Sequence, residues 1–136
     1  MPAIKIQPDG VLTRLDLPTD GTTLSWLYQE IGCDLVDCIG LPHGLDFWID
    51  DEGLYSGAQA NLVASLFALM FGDLNLGHPI MGTVIVAKHD DDGNTIALDN
   101  AEYAAFLLTL RAMVREIMAA TSKGSPGVIA TEISPN

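Results

Sequence analysis

The segment GLDFWIDDEGLYSGAQAN, residues 44–61, decides the fold because it joins a strand to a helix through an acidic turn. Apolar and polar side chains alternate across residues 45–50, which is the period-2 pattern of a half-buried strand. The triplet Asp51-Glu52-Gly53 ends this strand, since glycine supplies the backbone freedom that a turn needs. Ser56 precedes Gln59 by three residues, the spacing of a capping box, so we expect a helix to follow.

That helix, expected at residues 57–71, is apolar around most of its circumference. A helix of this kind usually lies at the centre of a core or at a subunit interface. We therefore expect the chain to form a homo-oligomer, in the simplest case a homodimer, through this helix.

The same periodicities predict the element order ββαββαββα along the whole chain. Strands are expected at residues 3–7, 11–17, 33–41, 45–50, 80–88 and 95–98, and helices at 24–31, 57–71 and from Asp99 onward. Glu102 follows Asp99 by three residues, so a second capping box is expected at the start of the last helix. The strand at 80–88 is apolar on both faces, which indicates a central position. The pattern predicts an α+β fold with a mainly antiparallel sheet and the helices on one face.

The 136 residues suffice for one domain with one core, expected at residues 1–120. From Thr121 the composition shifts to Ser, Gly, Pro and Thr, so residues 121–136 are expected to form a flexible tail. Eighteen acidic and six basic residues give a net charge of −12. This charge repels nucleic acid backbones and anionic membranes, so we expect neither as a direct partner.

The first ten residues lack the apolar core of a signal peptide, and the apolar run at 62–71 is about half a membrane span. We therefore expect a cytoplasmic protein. Cys33 and Cys38 are expected on opposite faces of one strand, at a spacing that suits neither a redox pair nor a zinc pair. Two reduced thiols are the favoured interpretation.

No motif in the sequence assigns a metal, a cofactor or a catalytic residue. The acidic run at 90–94 would place Lys88 at the first ligand position of a calcium loop, which defeats that motif. Three histidines lie at turns or strand ends without zinc-ligand spacing: His43, His78 and His89. Within the acidic turn only Asp50 and Glu52 could converge for acid–base chemistry, and no nucleophile with a base is nearby. The sequence therefore favours a protein that is not an enzyme.

Trp48 is expected on the polar face of its strand, beside Asp46 and Asp50. An exposed Trp among acidic residues can mark a contact surface, and it can equally pack beneath a helix or the tail. The sequence leaves both open.

A series of short motifs gives the chain a resemblance to a known family. They are the helix pattern L-x-x-L-Y-x-x-I-G at Leu24–Gly32, the acidic turn at Asp50–Leu54, Asn61, Met81-Gly82-Thr83, and the second acidic turn at Asp91–Gly93. Over about residues 3–110 the chain resembles a small domain of unknown function. That domain occurs in actinobacteria, other Gram-positive bacteria and their phages and plasmids, in some larger proteins beside an antirestriction module.

The resemblance implies a phage or mobile-element context, interference with a host system and no established activity. Five positions align with the family pattern and could carry a shared function: Asp51, Glu52, Gly53, Asn61 and Gly82. The chain departs from the pattern at Asp51, where Asn is expected, and in its extended apolar helix. Because the two glycines have structural reasons to be present, Asn61 is the more informative candidate.

These observations favour a non-catalytic, acidic binding or regulatory protein that meets a protein or small molecule through the acidic turn and the start of the second helix. One alternative is an anti-defence protein that mimics DNA. Another sequesters a small nucleotide at an oligomer interface, with Arg111 and Arg115 as phosphate ligands. The candidate binding residues are Trp48, Asp50, Asp51, Glu52, Asn61, Gly82, Arg111 and Arg115.

Overall fold

The computed structural model describes residues 1–72 and 77–121, which form one antiparallel sheet of six strands and three helices. The strands are β1 (Pro2–Ile6), β2 (Leu12–Asp16), β3 (Val36–Gly40), β4 (Leu45–Asp50), β5 (Val84–His89) and β6 (Thr95–Ile96). The helices are α1 (Thr23–Ile31), α2 (Leu62–Gly72) and α3 (Asn100–Thr121). The predicted α+β class and element order are confirmed. Of the predicted tail at 121–136, Thr121 is the last residue of α3, and residues 122–136 lie outside the described residues.

The strand order is β2-β1-β5-β4-β3, and β6 pairs with the end of β5. As predicted, β5 is central, with β1 on one side and β4 on the other. Its residues 84–87 are all buried. A strand without a solvated face needs cover on both sides, and this requirement places the helices.

The helices lie on both faces of the sheet rather than on one. α2 and α3 pack over the face that carries Ile4, Phe47 and Val86, and this is the larger part of the core. α1 packs on the opposite face, where Leu27 contacts Ile85. The expectation of a shared face therefore holds for α2 and α3 but is wrong for α1. β5 directs apolar side chains to both faces of the sheet, and each face needs a helix to cover it.

The start of α2 differs from the prediction. The helix begins at Leu62 rather than near residue 57, and Ser56 does not cap it. Asn61 takes that place, because its Oδ1 accepts a hydrogen bond from the Ala64 N–H at 3.1 Å. In α3 the predicted capping box is confirmed, with Asp99 and Glu102 accepting from each other's N–H groups at 2.7 and 2.9 Å.

Cys33 lies in the loop after α1 and not in a strand, which corrects the sequence-based placement. Gly32 ends α1 in the left-handed conformation, and the N–H groups of Gly32 and Cys33 both donate to the Tyr28 carbonyl. This C-cap delays β3 until Val36. Both Cys33 and Cys38 are free thiols, as predicted.

Within the described part of the chain, no helix combines the length and the apolar character needed to cross a membrane.

Candidate functional site

An open cleft of about 530 Å³ lies where the C-terminal ends of α1 and β4 meet the acidic turn. We call it the acidic cleft. Its lining residues are Pro8, Ile31, Gly32, Cys33, Asp34, Asp50, Glu52, Ser56, Gly57, Ala58, Gln59, Gly82 and Thr83. It therefore brings together three of the candidate residues, Asp50, Glu52 and Gly82, from two distant parts of the chain.

The acidic cleft has a negative electrostatic character from two sources. Asp34, Asp50 and Glu52 line it, and its described lining contains no Lys or Arg. The C-terminal end of α1 also borders the acidic cleft, because Ile31 and Gly32 are part of the lining. The last carbonyls of a helix carry partial negative charge, which favours a cation at this end.

The pKa of the Cys33 thiol reflects the negative charge that surrounds the acidic cleft. Burial and then the negative charge of Asp50 raise the pKa of Cys33, while a backbone hydrogen bond from Leu35 partly offsets them. The carboxylates of Asp34 and Glu52 raise this pKa further. The thiol is therefore held in its protonated form, which disfavours it as a nucleophile.

Hydrogen bonds within the acidic turn fix its shape. Asp50 Oδ1 accepts from the Glu52 N–H at 2.9 Å, and the Glu52 carbonyl accepts from the N–H groups of Tyr55 and Ser56. The Ser56 hydroxyl donates over longer distances to Asp50 Oδ2 and the Gly53 carbonyl, 3.5 and 3.4 Å. Asp50 thus shapes the turn as well as lining the acidic cleft.

Asn61 is fully buried and hydrogen-bonded through its whole side chain. Its Nδ2 donates to the carbonyls of Ile6 and Gly82, each at 2.9 Å, while its Oδ1 caps α2. Its N–H donates to the Ile80 carbonyl at 2.7 Å. These contacts give Asn61 a structural role between β1, α2 and the segment before β5, and it does not line the acidic cleft.

The two candidate glycines occupy places where chain segments approach closely. Gly82 has a φ of +86°, and its N–H donates to the Gln59 carbonyl at 2.7 Å. At Gly53 a Cβ atom would lie 3.0 Å from the Met81 carbonyl oxygen. Gly82 precedes β5, which begins at Val84, although the predicted strand at 80–88 includes it.

Trp48 packs beneath α1, in the cluster that contains Leu27 and Ile85. Its indole Nε1 is buried and has no hydrogen-bond partner within the part of the chain that the structure describes. Of the two possibilities that the sequence left open, packing under a helix is the one found. Trp48 does not line the acidic cleft.

Asp51 lies on the other side of the acidic turn, in a smaller hollow of about 250 Å³. We call this the β3 hollow; it is lined by Asp37, Ile39, Ile49, Asp50, Asp51, Gly53, Leu54, His78, Ile80 and Met81. Isoleucine side chains form part of the hollow, and two of its carboxylates belong to exposed residues, Asp37 and Asp51. The two depressions thus share the acidic turn between them.

The model of a family described as a domain of unknown function, DUF3846, matches residues 1–110. The chain belongs to this family. The predicted resemblance to a domain of unknown function is thereby confirmed. Comparison with curated proteins and with solved structures gives no match.

All residues of the acidic cleft and the β3 hollow lie inside the DUF3846 match, which ends within α3. Arg111 and Arg115 fall just beyond it. Arg115 is exposed, whereas the Arg111 Nε is buried and has no hydrogen-bond partner among the described residues. Neither arginine lines the acidic cleft, so the structure does not bring them together with the acidic turn.

Sequence reasoning missed two features of the DUF3846 domain. Asp34 joins the acidic cleft because it follows the C-cap of α1, a position that the predicted strand at 33–41 obscured. Asp46 is only 5% exposed and accepts a hydrogen bond from His89 Nδ1 at 2.9 Å. These two residues are 43 positions apart, so no local pattern could have paired them.

The described residues contain no group of three or more His, Cys, Asp or Glu side chains arranged to hold a metal ion. In the acidic run at 90–94, Asp90 Oδ1 accepts from the N–H groups of Asp92 and Asn94 at 3.0 and 2.8 Å. These bonds lower the pKa of Asp90, the largest effect being the one from the Asn94 N–H. The carboxylate organises its own turn.

Proposed function

We propose that this DUF3846 protein is a non-catalytic binding protein whose acidic cleft receives positively charged side chains of a partner protein. The observation that carries the proposal is the convergence of Asp34, Asp50 and Glu52 at the C-terminal end of α1. An ammonium or guanidinium group placed there meets carboxylates and helix carbonyls together.

The energetics favour a partner with several charges rather than one. An exposed ion pair contributes about 0–1 kcal/mol, so a single lysine would bind weakly. The net charge of −12 adds long-range attraction that speeds the encounter with a basic partner. A basic segment of a protein, with several cationic side chains in sequence, fits these requirements.

The lining of the acidic cleft supports binding over catalysis. Its Cys33 thiol is kept protonated by a raised pKa, and its Ser56 hydroxyl contacts a carboxylate only at 3.5 Å. No histidine is among its described lining residues. A nucleophile with a well-placed base, the usual signature of covalent catalysis, is therefore missing from this part of the chain.

The alternatives from the sequence have less support. A phosphate-bearing nucleotide would be repelled by the carboxylates of the acidic cleft. A DNA mimic needs carboxylates spread along one face at phosphate spacing, whereas the acidic runs of this chain lie in separate turns. A role in phages or mobile elements, beside antirestriction modules, belongs to the proposal through the resemblance alone.

A blocked heptapeptide of alternating Lys and Val, the probe peptide, tests the proposal by calorimetric titration. The double variant Asp34→Asn/Glu52→Gln should lose about tenfold in affinity, since it removes two of the three carboxylates. The matched control, Asp92→Asn/Glu116→Gln, removes the same charge at exposed positions elsewhere.

The control variant should change the affinity by less than about twofold in 0.15 M salt, because distant exposed charges are screened. Equal losses in the two double variants would mean that the peptide follows only the net charge, and the acidic cleft would then not be the binding site.

A further inference from the structure

β3 forms one edge of the sheet, beside the acidic cleft. It pairs with β4 on one side, and within residues 1–72 and 77–121 no strand pairs with its other side. An open edge of this kind can accept an added strand.

The hydrogen bonds at the two ends of β3 determine which backbone groups face outward. The Asp51 N–H donates to the Leu35 carbonyl at 3.0 Å, and the Leu41 N–H donates to the Leu45 carbonyl at 2.8 Å. In an antiparallel pair the residues that bond to the partner alternate along the strand. Residues 35, 37, 39 and 41 therefore bond toward β4, and residues 36, 38 and 40 direct their N–H and C=O groups away from the sheet.

Within residues 1–72 and 77–121, most of these outward groups have no hydrogen-bond partner. The Cys38 N–H is occupied by the Asp37 carboxylate, at 2.8 Å in an exposed contact. Gly40 is exposed, so the far end of the edge is accessible, and a Cβ atom there would meet no described atom within 4 Å on its face of the sheet. The N–H groups of Val36 and Gly40 and the carbonyls of all three residues provide a ladder for one short strand.

The surroundings of β3 indicate which side chains such a strand carries. On the α2 and α3 face, the β3 hollow offers Ile39 and Ile49 beside the exposed carboxylate of Asp37. At the start of β3, Asp34 belongs to the acidic cleft. Apolar side chains alternating with basic ones therefore complement this edge, since successive residues of a strand point to opposite faces.

A second copy of this chain is a poorer fit to the same edge. Antiparallel pairing of two β3 strands would place the Asp37 carboxylates of the two copies on the same face of the joined sheet, opposite or diagonal to each other, and like charges across strands are destabilising. With a net charge of −12 on each copy, self-pairing is further opposed.

We propose that an extended basic segment of a partner protein adds to β3 as a further antiparallel or parallel strand, with one cationic side chain in the acidic cleft. This inference rests on the proposed function and specifies the kind of partner and its mode of binding. Main-chain hydrogen bonds supply affinity, while the acidic residues select for basic side chains.

Amide hydrogen exchange by NMR on the full chain tests the strand addition directly. On saturation with the probe peptide, the amides of Val36 and Gly40 should exchange at least about tenfold more slowly, because they gain acceptors. A probe peptide methylated at every backbone nitrogen should bind at least about tenfold more weakly, since it cannot donate to the ladder.

The variant Gly40→Pro adds a test within the protein. It removes an outward N–H while leaving every bond to β4 in place, and Pro is tolerated at such edge positions. We expect a loss of affinity of about fivefold for the unmodified probe peptide. The thermal midpoint of the variant verifies folding.

The outcomes separate the inference from the proposed function. If the methylated peptide binds as tightly as the unmodified one, and Asp34→Asn/Glu52→Gln still weakens both, strand addition is wrong and the acidic cleft stands. If the probe peptide does not bind at all, both fail. Protection of Val36 and Gly40 that rises with protein concentration in the absence of peptide would assign the edge to a second copy and overturn the inference.

Discussion

At the scale of single residues, Asn61 holds three parts of the chain together. It bonds to the carbonyls of Ile6 and Gly82 and to the N–H of Ala64, all in a fully buried position. A buried side-chain amide with all its bonds made specifies one arrangement of its neighbours, because any other leaves polar groups unpaired.

Replacement of Asn61 with Ala should lower the free energy of unfolding by at least about 2 kcal/mol. Two buried carbonyls lose their donor and the Ala64 N–H loses its acceptor, and each unpaired buried group costs about 1–3 kcal/mol. Urea denaturation measures the change, with Asn100→Ala at the exposed start of α3 as the control. A loss below about 1 kcal/mol together with weaker binding of the probe peptide would instead assign Asn61 to function.

Cys38 should be a slow nucleophile. Partial burial of the thiol and the neighbouring Asp46 carboxylate raise its pKa to about 12, so only about one molecule in 10⁴ carries the thiolate at pH 8. Because a raised pKa lowers the thiolate fraction, the rate of iodoacetamide alkylation at Cys38 should still climb between pH 9 and pH 11. Mass spectrometry of the modified peptides gives this profile. A plateau above about pH 9.5, as for a free cysteine, would contradict the environment described for Cys38.

At the scale of secondary-structure elements, the starts of α2 and α3 offer a direct comparison of two capping boxes. The sequence predicts one at Ser56–Gln59 and one at Asp99–Glu102, and only the second forms. Asp99→Ala should therefore cost about 1 kcal/mol of stability, and Ser56→Ala less than about 0.5 kcal/mol. Urea denaturation of the two variants decides between the patterns, since equal losses would mean that Ser56 caps a helix.

The elements themselves were largely predictable, and their arrangement was less so. The apolar run of β5 correctly indicated a central strand, and the stripe of α1 indicated its bounds within a residue. The side of the sheet that each helix covers depends on pairing between distant strands, as in Ile4 with Val86. The acidic turn is a candidate site from the sequence alone, whereas Asp34 is not, because the predicted third strand includes it and the C-cap of α1 is what places it in the acidic cleft.

At the scale of the whole molecule, α2 presents an apolar outer side without a charged residue. Leu69 and Met70 are 50% and 68% exposed, and a hollow of about 380 Å³ lies between Leu66 of this helix and Ile117 of α3. In a chain of net charge −12, this uncharged strip is a place where two copies can meet without opposing carboxylates.

We expect the protein to form a dimer through this side of α2, and Leu69→Glu to shift it to the monomer by placing a carboxylate at the contact. Native mass spectrometry over a range of protein concentrations measures the subunit count. The control is Leu108→Glu, at a residue that is 67% exposed on α3. A wild-type monomer at all concentrations, or equal effects of the two variants, would contradict the expected interface.

The central claim is that the acidic cleft receives positively charged side chains of a partner. A titration of the isotope-labelled protein with the probe peptide, followed through amide chemical shifts, tests this most directly. The largest shifts are expected at Asp34, Glu52 and Gly57, with little change in the turn at 90–94, which is also acidic. Equal shifts at both acidic sites, or none at either, would contradict the claim.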